Sequence, residues 1–123
     1  MSVNRYVDSS EQLVVELYVR DLSASCAFYQ ALGFQLFRKE GDFAELKWED
    51  TLLFLEANPD APPPPPYPVG NIRIMVPNVD DYWTLSQKMS AQVIRPLENR
   101  YYGLRDFIIA GPDGLGLRFA TRL

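Results

Sequence analysis

The chain has 123 residues, 47% hydrophobic and 23% charged, with a net charge of −4. Those values describe one small folded domain, 1–123, rather than a disordered or multidomain chain. The acidic balance excludes nucleic acid and anionic membranes as main partners, because both require clustered Lys and Arg.

Residues 1–12 are polar and carry no signal-peptide core. Residues 13–19 alternate, with Val15, Leu17 and Val19 on one face and Val14, Glu16 and Tyr18 on the other, which predicts a strand. Asp21 and Ser23 offer oxygen caps for a helix that carries Leu22, Cys26 and Tyr29 on one side and closes at Leu32-Gly33. Three short strands follow, near 35–38, 43–48 and 51–56, with turns at 40–42 and 49–50.

Residues 58–70 include five consecutive prolines, Pro62 to Pro66. The run predicts a stiff polyproline II spacer of about 15 Å; a ligand for a proline-binding module is the alternative use. The pattern then repeats. Residues 71–76 alternate, with Ile72, Ile74 and Val76 opposite Asn71, Arg73 and Met75, a helix is predicted over 80–90, and strands near 92–95, 105–110 and 116–120. Residues 13–57 and 71–121 therefore read as two copies of one βαβββ module, an α+β architecture with 58–70 as the linker.

The chain contains no histidine. Imidazole is the commonest transition-metal ligand and the commonest acid-base group near neutral pH, so His-based triads, His-ligated zinc and two-His iron sites are excluded. The single cysteine, Cys26, allows no internal disulfide, which suits a cytoplasmic, reducing setting. It lies within a predicted helix without a histidine partner, so a buried structural thiol is expected rather than a nucleophile. No apolar run approaches the roughly 20 residues of a membrane span. Gly111-x-x-Gly114-x-Gly116 opens a strand rather than a helix, which removes a phosphate-loop reading. Trp83, beside Tyr82, is expected in core or dimer packing.

Asp21-Leu22-Ser23, Phe28-Tyr29 and Leu32-Gly33-Phe34, with Gly103-Leu104-Arg105-Asp106-Phe107 and then Gly111-Pro112-Asp113-Gly114, resemble the first-helix signature and last hairpin of the glyoxalase/bleomycin-resistance/extradiol-dioxygenase (vicinal oxygen chelate) superfamily. The matches span nearly the whole chain in the right order. The resemblance implies two modules whose curved mixed sheets join around a cavity, helices outside, and frequent dimerisation, sometimes with module exchange. It places the family's metal-ligand positions on Val14, Phe54, Asn71 and Arg118, none of which is a good ligand. Arginine, cationic at every accessible pH, repels a divalent ion. The chain is thus most similar in type to the metal-free bleomycin-resistance members, with no metal and no cofactor expected.

The expected function is metal-independent binding of a small molecule by a homodimer. Glu16, Tyr18, Phe54 and Asn71 are expected to line the cavity with Arg73, Met75, Tyr102 and Arg118. Glu16 and Arg73 are expected to meet at the module junction, either as a structural ion pair or as a recognition pair. Tyr101 and Tyr102 are candidates for an aromatic lid. Because Arg118 reverses the charge of a metal-binding carboxylate, a positive charge is left over unless Glu56 or Asp106 reaches in. That surplus suggests a carboxylate ligand with an apolar body against Tyr18, Phe54 and Met75. Two alternatives remain open: a metal-free enzyme using Glu16 or a tyrosine in acid-base chemistry, and a structural or interaction domain with a collapsed cavity.

Overall fold

A computed structural model of the chain describes residues 4–123. It divides between Ala61 and Pro62 into two compact units. The first contains a short helix α1 (Ser9–Gln12), then β1 (Val15–Val19), α2 (Leu22–Leu32), β2 (Gln35–Glu40), β3 (Phe43–Trp48) and β4 (Thr51–Ala57). The second contains β5 (Gly70–Met75), α3 (Val79–Lys88), β6 (Val93–Asn99), β7 (Leu104–Ala110) and β8 (Leu115–Arg122). Each unit forms one four-stranded mixed sheet, ordered β1-β4-β3-β2 and β5-β8-β7-β6. The fold is α+β, two βαβββ modules as the alternation predicts.

In the first module α2 starts where the Asp21 carboxylate accepts the Ala24 N–H at 3.0 Å. It ends at Gly33, whose φ of +122° lets Phe34 N–H turn back to the Tyr29 carbonyl. The helix buries Leu22, Cys26, Tyr29 and Leu32, spaced along one stripe. They meet Val19, Ala44, Leu46, Leu53 and Leu55, also buried. Burial pushes the Cys26 thiol pKa up, against a smaller opposing pull from Lys39, so the sulfur stays an inert part of the core.

In the second module α3 is capped by Asn78, which accepts from Asp80 N–H. The helix begins one residue before the expected start, because the acidic first turn, Asp80 and Asp81, masks the asparagine cap, and ends two residues before the expected end. Tyr82 stacks on Phe119 at 4.9 Å and Trp83 meets Phe107 edge-on at 5.2 Å. Both rings of α3 therefore pack on the sheet face that carries Phe107, Ile109, Leu117 and Phe119.

Several elements differ from expectation. Strand β6 continues through Pro96 to Asn99; two register shifts against β7 absorb the proline, which lies on an edge strand. Strand β8 runs on to Arg122. Helix α1 is a single turn, too short for any periodicity to register. The proline run also differs from a free spacer. A Cβ on Gly114 would lie 3.3 Å from Pro65 Cδ, and Val69 N–H donates to the Gly114 carbonyl. The linker is therefore laid against the β7–β8 turn, where its rigidity costs little ordering entropy. No helix among the described residues is long and apolar enough to cross a membrane.

Gly33 combines a positive φ with a close approach, since an added Cβ would sit 3.1 Å from the Trp48 ring. Gly33→Ala is expected to lower stability by about 1–2 kcal/mol. Urea unfolding should show an earlier midpoint with an unchanged slope.

Candidate functional site

Pairing register decides what the helix-free face of each sheet displays. In the second module Arg73 on β5 pairs with Arg118 on β8, Arg118 with Ile108 on β7, and Ile108 with Arg95 on β6. One rung of the sheet therefore carries three arginines. The adjacent rung holds Met75, Ala120, Asp106 and Glu98, and beyond it Arg122 pairs with Leu104. Arg73, Arg95, Arg118 and Arg122 line one open depression of about 460 Å³ with Tyr102 and Leu104.

Beneath this depression lies Asp106, fully buried. Arg118 donates to its Oδ2 from Nε at 3.0 Å and from Nη2 at 2.7 Å, and Tyr102 O–H donates to the same oxygen at 2.6 Å. Arg100 Nε donates to Oδ1 at 2.8 Å. Arg100 in turn donates to the Pro96 carbonyl and pairs with Glu98 at 2.7 Å. Burial alone would push the Asp106 carboxyl pKa up. The hydrogen bonds from Tyr102, Arg100 and Arg118, with the charge of Arg118, outweigh it and hold the group below the ordinary carboxylate value. The Arg118 guanidinium also lies 5.2 Å from the Tyr102 ring centre, and its Nη2 donates to the Tyr102 oxygen at 2.9 Å. Arg73, Arg95 and Arg122 form no ion pair among the described residues of their module.

The first module displays the opposite charge. Glu16 pairs with Phe54, Phe54 with Glu45 and Glu45 with Arg38, while Tyr18 pairs with Glu56 and Glu56 with Phe43. Arg38 reaches Glu40 at 3.3 Å and Glu45 at 3.5 Å, and Phe43 meets Phe54 edge-on at 5.2 Å. A larger concavity of about 710 Å³ is lined, among the described residues, by Asn4, Arg5, Tyr6, Val7, Glu11 and Gln12.

The sequence-predicted residues are divided between the two modules. Glu16, Tyr18 and Phe54 belong to the first module, Glu16 and Tyr18 being exposed. Asn71, Arg73, Met75, Tyr102 and Arg118 belong to the second. Of the two acids considered for the surplus charge, Asp106 takes Arg118. Tyr102 is bonded into that cluster, whereas Tyr101 is fully exposed and touches Tyr102 edge-on. The reading missed Arg95 and Arg122 as site residues, and Arg100 entirely. Arg122 was discoverable by counting two residues on from Ala120 along β8.

The family's metal does not fit these residues. Val14, just before β1, and Phe54 offer no donor atom. The Asn71 amide lies against Gly116, in space that any Cβ there would fill. The Arg118 guanidinium is held by Asp106. Among the described residues no three Cys, Asp or Glu side chains gather into a group able to hold a metal ion.

Residues 11–119 match the model of the Glyoxalase/Bleomycin resistance protein/Dioxygenase superfamily. No curated protein matches the sequence. Similar solved structures include a glyoxalase/dioxygenase from Nostoc punctiforme, 20% identical, with a TM-score of 0.78 and 99% of each chain covered. TioX from Micromonospora sp. ML1 is 19% identical, with a TM-score of 0.75 over 90% of this chain and 98% of that one. A bleomycin-binding protein, solved in complex with bleomycin, is 20% identical, with a TM-score of 0.70 over 92% and 99%. At these identities the likeness is one of fold.

Asp106→Asn should cost about 2–3 kcal/mol at pH 7, because two guanidinium groups lose a buried counter-charge; both reach solvent, which limits the loss. The lowered carboxyl pKa means that this stabilisation is present above the unfolded-state value near 3.9 and is lost as pH falls through the folded-state value. Urea unfolding at pH 7 and pH 3 should show the gap between wild type and variant narrowing at the lower pH.

Proposed function

The chain belongs to the Glyoxalase/Bleomycin resistance protein/Dioxygenase superfamily, and from that membership and the residues on its open sheet faces we propose that it is a metal-independent protein that binds a small molecule. The observation that carries this reading is the fate of Arg118. It stands where the family resemblance puts a metal-binding carboxylate, and it is already committed to the buried Asp106. A divalent ion would have to displace a guanidinium from its counter-ion and then bind beside three further arginines. The open depression beside Arg118 supports binding of a ligand rather than a filled, purely structural face. The bleomycin-binding neighbour offers a precedent for ligand capture on this fold.

The working form is a homodimer in the cytoplasm. Strands β2 and β6 are sheet edges with unpaired backbone groups, and Val15, Tyr18, Phe37 and Met75 are exposed apolar side chains; association covers both kinds of surface. A buried lone Cys26 suits a reducing compartment.

Native mass spectrometry tests the reading in one experiment. Protein purified with a chelator and mixed with a chemically diverse compound library should run at twice the 14.1 kDa chain mass, free of transition metal, and should retain a small-molecule adduct. One zinc, nickel or iron per chain, or adducts that form only after metal is added, would contradict it.

A further inference from the structure

We propose that the arginine-lined depression on the second sheet binds a compact small molecule carrying two negative charges, of the phosphomonoester or dicarboxylate type. This rests on the small-molecule reading above and names the ligand class and the residues that select it.

Like charges stand side by side on this sheet. Arg73 and Arg118 are register partners on neighbouring strands, and Arg95 stands on the same rung across Ile108. Same-sign partners directly opposite each other oppose sheet formation, so an uncompensated row is costly to keep for structure alone. Compensation from within the module is incomplete. Asp106 serves Arg118 and Arg100, and Glu98 serves Arg100. Arg73, Arg95 and Arg122 are left facing the same depression with no ion pair among the described residues of the module. One negative charge would answer one of the three, whereas a dianion answers most of the surplus.

Geometry narrows the class further. Strands are about 4.8 Å apart, so Arg73 and Arg118 present guanidinium groups to one oxyanion, and Arg95 approaches from the other side of the rung. Guanidinium forks match carboxylate and phosphate oxygens in paired hydrogen bonds. Asp106 and Tyr102 take the Nε and Nη2 protons of Arg118, so Arg118 adds only Nη1, held in a fixed place, while Arg73 and Arg95 supply the forks. The apolar lining among the described residues is slight, Leu104 and the Tyr102 ring. Among the described residues, Met75 does not line this depression. The ligand is therefore small and polar apart from its charges, rather than an acid on a large apolar body.

Isothermal titration calorimetry with chelator-treated protein tests this using inorganic phosphate, glycerol 3-phosphate, succinate, acetate, a neutral polyol and a cationic amine. The dianions should bind at least tenfold tighter than acetate and weaken as salt rises. Arg73→Gln and Arg95→Gln should each weaken dianion binding about tenfold. Both side chains are exposed, so the fold should survive, as circular dichroism will report. Arg20→Gln, on an exposed residue of the first module, should change nothing. Phosphate esters but not succinate, or the reverse, would assign the oxyanion type within the class. Dianions binding no tighter than acetate, or unaffected by both substitutions, would overturn the site. If the polyol or amine binds while dianions do not, only the arginine site falls; if the whole panel and the compound library both fail to bind, the small-molecule reading falls with it.

Discussion

A carboxylate sealed from water has to be compensated from inside the fold, and Asp106 takes its compensation from Arg100, Arg118 and Tyr102. That requirement organises most of the second module. It pins the 100–103 turn to the sheet through Arg100 and Tyr102, and ties β7 to β8 by side chains as well as by their ladder. It also fixes the guanidinium of Arg118, which would otherwise be a long mobile side chain. A buried ion cluster of this kind adds less to stability than its hydrogen bonds suggest, because four polar groups must first be desolvated. Its stronger consequence is positional: one arginine of the open face is held in a single geometry.

The two modules share a frame and diverge in what they hang on it. The pairing puts Glu16 in the place of Arg73, Phe54 in that of Arg118, Glu45 in that of Ile108, and Arg38 in that of Arg95. The helix-side positions are apolar in both, since each sheet has to bury one face against its helix. The open faces are free of that constraint and carry opposite charge, acidic in the first module and basic in the second. Each module thus keeps the fold with one set of residues and varies its chemistry with the other.

The same division explains what could be read from the sequence. Helix-facing positions alternate strictly, so β1, β3, β5, α2 and the βαβββ repeat were legible from periodicity alone. The faces of Glu16, Tyr18, Asn71, Arg73 and Met75 followed from parity. Arg95 escaped because Gln92-Val93-Ile94-Arg95 has no alternation to assign it a face, and the strand runs on through Pro96 by shifting register. Asp106 was visible only as one of two candidate acids. Choosing it over Glu56 requires knowing that residue 106 pairs opposite 120, one rung from Arg118, which depends on where the β7–β8 turn closes. Arg100 lies outside any strand, and its reach back to Asp106 has no sequence period to betray it.

Arginine side-chain NMR tests the central role of Asp106 most directly. Because Arg100 and Arg118 both donate through Nε, their Nε–H protons should exchange slowly with water near pH 6, while those of Arg73 and Arg95 exchange fast. Lowering the pH through the titration of Asp106, below about 3.9, should release both slow signals together. Fast exchange of Arg118 Nε–H near pH 6, or release of Arg100 and Arg118 at different pH values, would contradict a shared buried carboxylate as the anchor of the site.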